Sequence, residues 1–253
     1  MTHPDRLLTD TGIIFGRYLR QTLRSRVSLV FGLLQPMLFL VFFGPLLRDV
    51  PLGGKGDSWQ TLIPGLLIQL GLFSSAFAGF GIIMEKQYGV VERMRVTPVS
   101  RLALLLGRLL RDALQLLVQS LMLVAAGVAF GLRAPVLGVV VGCLFVCVLA
   151  MSLASLSYAL AMRVNTPQEF APVINSVNLP AMLLSGILLP MSLAPHWLDV
   201  VSHFVPFRYL VDAVRAGFVG EYGGTMALGA GVGLLLAAVS LTLGTRVFRR
   251  AGA

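Results

Sequence analysis

Six stretches of this chain run for about twenty residues or more without an Asp, Glu, Lys or Arg: 27–47, 58–84, 113–132, 134–162, 170–198 and 222–245. A bilayer core about 30 Å thick takes roughly 20 apolar residues per spanning helix. Barrel strands are about half that length and alternate polar with apolar residues, which these stretches do not. With 57% hydrophobic and only 12% charged residues among 253, the composition also lies far from that of a soluble domain. The expected fold class is therefore all-α: a polytopic integral membrane protein with six transmembrane helices. They are placed at 27–47, 61–84, 108–131, 136–162, 170–189 and 223–245, in a single domain over 1–253.

The first 26 residues read differently. At 100° per residue, Leu8, Phe15, Tyr18, Leu19 and Leu23 share one side, Arg17, Arg20 and Arg24 lie opposite, and Ile13 is the exception. That pattern predicts an amphipathic helix lying in the membrane interface, its arginines facing anionic lipid headgroups. No short apolar core followed by a small-residue cleavage site is present, so no cleavable signal peptide is expected. With six spans, fifteen of the twenty lysines and arginines fall on the side of both termini and five on the other. The positive-inside rule then puts both termini in the cytoplasm. This asymmetry accounts for the net charge of +9, and no nucleic-acid partner is expected. Segment 190–221, interrupted by prolines and holding Trp197 and Tyr209, predicts short helices dipping into the outer leaflet and returning.

Ionisable groups inside a membrane usually mark ion or proton pathways. The six stretches hold no Asp, Glu, Lys or Arg. Asp112 comes nearest. It lies four residues after Arg108, a spacing that lets the two pair at a cytosol-facing helix end. Cys143 and Cys147 share a helix face and read as core packing, since zinc wants about four ligands. No HExxH motif accompanies the histidines, so no metalloprotease site is expected. Gly53–Ser58 lacks the GxxxxGK[ST] spacing of a phosphate loop, so no cofactor is expected on this chain. Pro36, Pro64, Pro172 and Pro180 fall inside predicted spans, where each suits either a hinge or ordinary shape. Asn175, Ser176, Asn178 and Ser185 make the fifth span unusually polar. Asn175, Asn178 and Ser185 are candidates for a pathway or a dimer contact.

Between the second and third spans lies MEKQYGVVERMRVTPVSR, residues 84–101, with six charges. As a helix, 85–97 puts Val90, Val91 and Met94 on one face and Glu85 and Glu92 on another. Thr97 before Pro98 ends that helix and can cap the next. The residues Glu85, Gly89, Glu92, Arg93, Thr97, Pro98, Arg101, Gly107 and Arg108 resemble the cytoplasmic signature of the ABC transporter type-2 permease family. A second set matches around the fifth span: Asn178, Pro180, Ser185, Gly186, Pro190, Pro195, Trp197, Leu198, Pro206, Tyr209, Asp212 and Arg215. The ordered set looks closest to membrane subunits of daunorubicin-resistance-type drug exporters and covers the whole chain. One departure is Val90, where many relatives carry Thr.

The resemblance implies a non-catalytic permease subunit of an exporter. Two permease chains, identical or homologous, would pair, and each would dock on a separate ABC ATPase subunit that holds ATP and Mg. Helix 85–97 would be the coupling helix, with Glu85, Lys86, Gly89, Glu92, Arg93, Thr97 and Pro98 as ATPase contacts and Arg17, Arg20 and Arg24 at its edge. The cargo would be an amphipathic drug, lipid or other compound, moved across the cell membrane. The rival readings are an ion-coupled secondary transporter, needing a gradient and no ATPase, and a membrane enzyme, needing a nucleophile or metal site.

Overall fold

A computed structural model describes residues 4–24, 26–47, 57–89, 101–187 and 191–250. Among them every regular element is helical, as the charge-free stretches require. The helices are α1 (Pro4–Arg24), α2 (Arg26–Leu47), α3 (Ser58–Ala76), α4 (Phe80–Gln87), α5 (Arg101–Ala129), α6 (Val136–Arg163) and α7 (Pro167–Leu184). A 3₁₀ turn (Met191–Leu193) then leads to α8 (His196–Ser202), α9 (Pro206–Val219) and α10 (Gly224–Arg250). Four segments are long and apolar enough to cross a membrane: Ser58–Gln87, Leu102–Ala129, Val136–Arg163 and Gly224–Val247; α2 adds a shorter apolar helix, Gly32–Leu46. The chain is a multi-pass membrane protein.

Helix α3 is the innermost element, with Leu62, Ile63, Leu66, Leu67, Ile68 and Leu70 all buried. It packs on α6, which also touches α5, α9 and α10. In a bilayer the surroundings are as apolar as the core, so this arrangement rests on close packing and internal hydrogen bonds rather than on escape from water. Helix α10 stays peripheral and presents Leu228, Leu234, Leu235, Val239 and Leu243 outward, as expected of a helix bathed in hydrocarbon. A second apolar cluster joins Ile82 and Ile83 of α4 to Leu105 and Leu109 of α5, Tyr158 of α6 and Phe170 of α7. Helix α9 ends where Gly220 takes φ 90°. There the amide of Glu221 reaches the Ala216 carbonyl at 2.8 Å and that of Gly220 the Gly217 carbonyl at 3.1 Å, the paired bonds of a Schellman stop.

Several expectations are corrected. Helix α5 begins at Arg101, seven residues before the predicted third span, because 102–107 is apolar and sits against α1 and α4. The face that α1 buries is Thr11, Ile14 and Tyr18, while Leu8 and Ile13 point outward. Helix α7 ends at Leu184, short of the predicted 189, with Gly186 at φ 73°. The helices also run unbroken through Pro36, Pro64, Pro172 and Pro180.

The second span breaks instead at Phe77–Gly79, which holds no proline. The cause is Ser157 of α6, whose hydroxyl enters the backbone ladder. It accepts from the Gly79 amide at 2.8 Å and donates to the Ala76 carbonyl at 2.5 Å. One side chain thus satisfies both backbone groups at the break, which would otherwise be stranded away from water.

Candidate functional site

The break aims α4 at a cluster of charged side chains below it. Glu85, in the last turn of α4, forms an ion pair with the Nη2 of Arg108 on α5. The same carboxylate accepts from the Tyr18 hydroxyl of α1 at 3.0 Å. Three guanidinium groups surround the Tyr18 ring, Arg108 at 5.0 Å, Arg17 at 5.9 Å and Arg111 at 6.0 Å from its centroid, within cation–π range. One turn along α5, Asp112 pairs with Arg111 at 3.0 Å and accepts from the Tyr158 hydroxyl of α6. Arg108 and Asp112 are only 5% and 7% exposed. They therefore lie inside a protein junction rather than at a cytosol-facing end, and Arg108 pairs with Glu85 rather than with Asp112. The junction ties α1, α4, α5 and α6 together.

Burial pushes the Tyr18 phenol up from 10.0 to about 12, with the Glu85 carboxylate adding and the Arg108 guanidinium opposing. The folded value lies above the unfolded one, so the unfolded chain releases this proton first. The stability that the neutral phenol contributes is complete below pH 10 and is lost as pH rises toward 12. In thermal unfolding scans from pH 9 to 12, the wild type should lose stability over that window relative to Tyr18→Phe. An unchanged difference between the two across the window would show that Tyr18 is not buried in this junction.

The other predicted coupling residues are placed as follows. The ammonium of Lys86 turns toward the end of α6 and donates to the Val164 carbonyl at 2.8 Å and to Asn165 Oδ1 at 3.1 Å. There it complements the negative end of the α6 dipole. Gly89 closes the described part of the loop at φ 66°. Glu92, Arg93, Thr97 and Pro98 lie outside the described residues. Arg17 and Arg20 are exposed on α1, and Arg24 closes that helix.

The fifth-span candidates separate. Asn175 is exposed, whereas Asn178 and Ser185 are buried, the latter donating to the Met182 carbonyl at 2.8 Å. Cys143 is buried, and Cys147 Sγ lies 3.9 Å from the Ala113 carbonyl. No cluster of three or more His, Cys, Asp or Glu suited to a metal occurs among the described residues.

Sequence reasoning missed Tyr18, Ser157 and Tyr158. Tyr158 left a signal: a phenol in a charge-free stretch needs a polar partner, and Asp112 was the one carboxylate inside a predicted span.

At the opposite end of α3 from the Glu85 junction, Arg215 of α9 donates from Nε to the Thr61 carbonyl at 3.1 Å. Its Nη2 reaches the Gly186 carbonyl at 2.8 Å and the Ile187 carbonyl at 3.2 Å. Arg208 pairs with Asp199 at 2.7 Å and with Asp212 at 3.7 Å. Tyr209 donates to the His203 carbonyl at 3.0 Å. Gly186, Tyr209, Asp212 and Arg215 of the second set of matching residues therefore help to hold this end of the molecule together.

The model of the ABC-2 type transporter family matches residues 9–219. The chain belongs to that family. Within it, a chain of Cyanophora paradoxa named as the transport permease ycf38 is 26% identical over 208 residues, covering 80% of this chain and 72% of its own. The daunorubicin resistance ABC transporter permease protein DrrB1 of Streptomyces coeruleorubidus is 26% identical over 232 residues, 90% of this chain and 81% of its own. A chain of Mycobacterium tuberculosis named as the doxorubicin resistance ABC transporter permease protein DrrC is 24% identical over 212 residues, 81% and 75% respectively. The resemblance read from the two residue sets is thereby borne out at the level of the family. Both the buried junction and the Arg215 contacts lie inside the matched region of this ABC-2 permease.

Proposed function

We propose that the chain is the non-catalytic, membrane-spanning permease subunit of an ATP-binding cassette exporter. In this reading it forms one domain of six spans, with α2 and α7 completing the four long apolar helices, and both termini face the cytoplasm at the cell membrane. A second permease chain pairs with it. A separate ATPase subunit binds ATP and Mg and docks on residues 85–97. The names of the drug-resistance relatives support an amphipathic cargo moved outward, accompanied by membrane lipid as solvent and partner.

The observation that carries this reading is the junction at Glu85. This carboxylate stands at the last described turn before the loop that reads as the ATPase contact, and it is joined directly to α1 and α5, with α6 tied to α5 beside it through Tyr158 and Asp112. A displacement at that loop therefore has a stiff route into α1, α5 and α6. The short connection favours force delivered from outside the chain.

Glu92→Lys should leave the permease inserted and folded. It should lower recovery of a co-expressed ATPase on the tagged chain by at least about tenfold, as for a reversed charge at an interface. Unchanged ATPase recovery together with unchanged transport would remove the assignment of this helix. Orientation has its own test. A cysteine at Ser100 should react with a membrane-impermeant maleimide only after permeabilisation, and one at Ser58 without it; the reverse pattern would invert the topology.

A gradient-driven transporter has one observation in its favour, the buried Asp112 with its Tyr158 partner, since buried carboxylates serve proton relays. Transport that collapses with a protonophore at constant ATP would favour it.

A further inference from the structure

Between α3, α6 and α7 lies a cleft of about 260 Å³. Its walls are apolar, including Leu72, Leu153, Leu156, Leu160 and Val177, and among the described residues no charged side chain lines it. Two polar side chains reach it, Ser157 and Asn178. Ser157 is committed in both directions, since its hydroxyl donates to Ala76 and accepts from Gly79. Asn178 is not. It is 5% exposed, and its amide nitrogen has no hydrogen-bond partner. An amide buried in an apolar wall without a partner is costly, and one bound molecule with an acceptor removes that cost.

We infer that this cleft is a binding site for a neutral, mainly apolar molecule carrying a single hydrogen-bonding group, held at the Asn178 amide. The inference rests on the exporter reading only for what the molecule is, namely cargo. The lining decides its chemistry. With no counter-charge in the wall, a cation or anion entering the cleft would lose its hydration uncompensated. A flat or elongated body with one carbonyl or ether oxygen fits both the walls and the lone amide. The cleft floor is the Ser157-bridged break above α4, so the site adjoins the segment that carries Glu85.

Benzophenone is a suitable probe, being neutral, apolar, equipped with one carbonyl and photoreactive. The purified chain in lipid nanodiscs is irradiated with it, and adducts are mapped by mass spectrometry. Saturable labelling is expected within 153–160 and 173–181. The cationic analogue (4-benzoylbenzyl)trimethylammonium should label these segments several-fold less. Asn178→Leu should lower cleft labelling about fivefold, the loss of one hydrogen bond, and Leu156→Trp, which fills the cleft and keeps the amide, should abolish it.

Labelling that never saturates, that matches the labelling of Leu234 and Leu235 on α10, or that ignores both substitutions would overturn the site. Either variant alone decides if the other does not fold. Labelling needs neither ATP nor an ATPase. Saturable cleft adducts on a chain that shows no ATP-driven transport would leave the site standing and remove only the exporter reading. Non-saturable adducts on a transporting complex would do the opposite.

Discussion

Arg108→Ala is expected to destabilise the folded chain by about 3–5 kcal/mol, the usual result of stranding one member of a buried ion pair. Arg108 is 6% and Glu85 19% exposed at the side chain, so water screens the pair weakly. The substitution leaves the Glu85 carboxylate facing Tyr18 without its cation, and it removes one of the three guanidinium groups around the Tyr18 ring. Thermal unfolding in nanodiscs measures the loss. The double variant Glu85→Gln with Arg108→Met separates stability from relay. Removing both charges together is often neutral for stability, so most of the unfolding temperature should return. Transport driven by the partner ATPase should stay impaired, because the stiff link between α4 and α5 is gone. A double variant that recovers transport as fully as stability would mean that the junction only holds the fold together.

Arg215→Met is expected to cost about 3 kcal/mol, since hydrogen bonds from a charged donor contribute about 1.5–3 kcal/mol each and do not simply add. Three carbonyls lose their donor at once: Thr61 in α3, and Gly186 and Ile187 beyond the end of α7. Those two helix ends are held to α9 through this side chain. The loss should appear in hydrogen exchange as faster opening of 58–62 and 181–187, with the junction around Glu85 unchanged. Arg215→Lys should recover only part, because an ammonium lacks the planar fork that reaches separate carbonyls. Equal protection in all three proteins would show that α9 is held by its apolar face alone, through Phe207, Leu210, Val214 and Phe218.

Much of the helical layout was legible because charge cannot be left in hydrocarbon. The stretches free of Asp, Glu, Lys and Arg locate α2, α6, α10 and the pair α3–α4 taken together to within a few residues. The same rule misread α5. Arg108, Arg111 and Asp112 were taken to end a helix, yet partners from α1, α4 and α6 cover them and the helix continues. Partners that arrive from elsewhere in the chain leave no periodic mark near the residue they satisfy. The break at Phe77–Gly79 was hidden for the same reason, because its cause is a serine 78 residues away. Pro36, Pro64, Pro172 and Pro180, which suited either a hinge or ordinary shape, lie inside continuous helices, since a spanning helix tolerates them when neighbours close the gap. On α1 the periodicity gave an amphipathic helix but the wrong edge of it. Tyr18 is buried and Leu8 exposed, because a protein groove, and not only a lipid surface, receives the inner face. Glu85 was legible from the family pattern, though its Tyr18 and Arg108 partners were not.

The most direct measurement is dye transport into inside-out membrane vesicles carrying the chain with a co-expressed ABC ATPase, using an amphipathic fluorescent dye and a protonophore. Uptake that requires ATP and both proteins, persists with the protonophore and is lost in Glu92→Lys is the expected result. Uptake that proceeds without the ATPase and stops when the proton gradient is dissipated would contradict it.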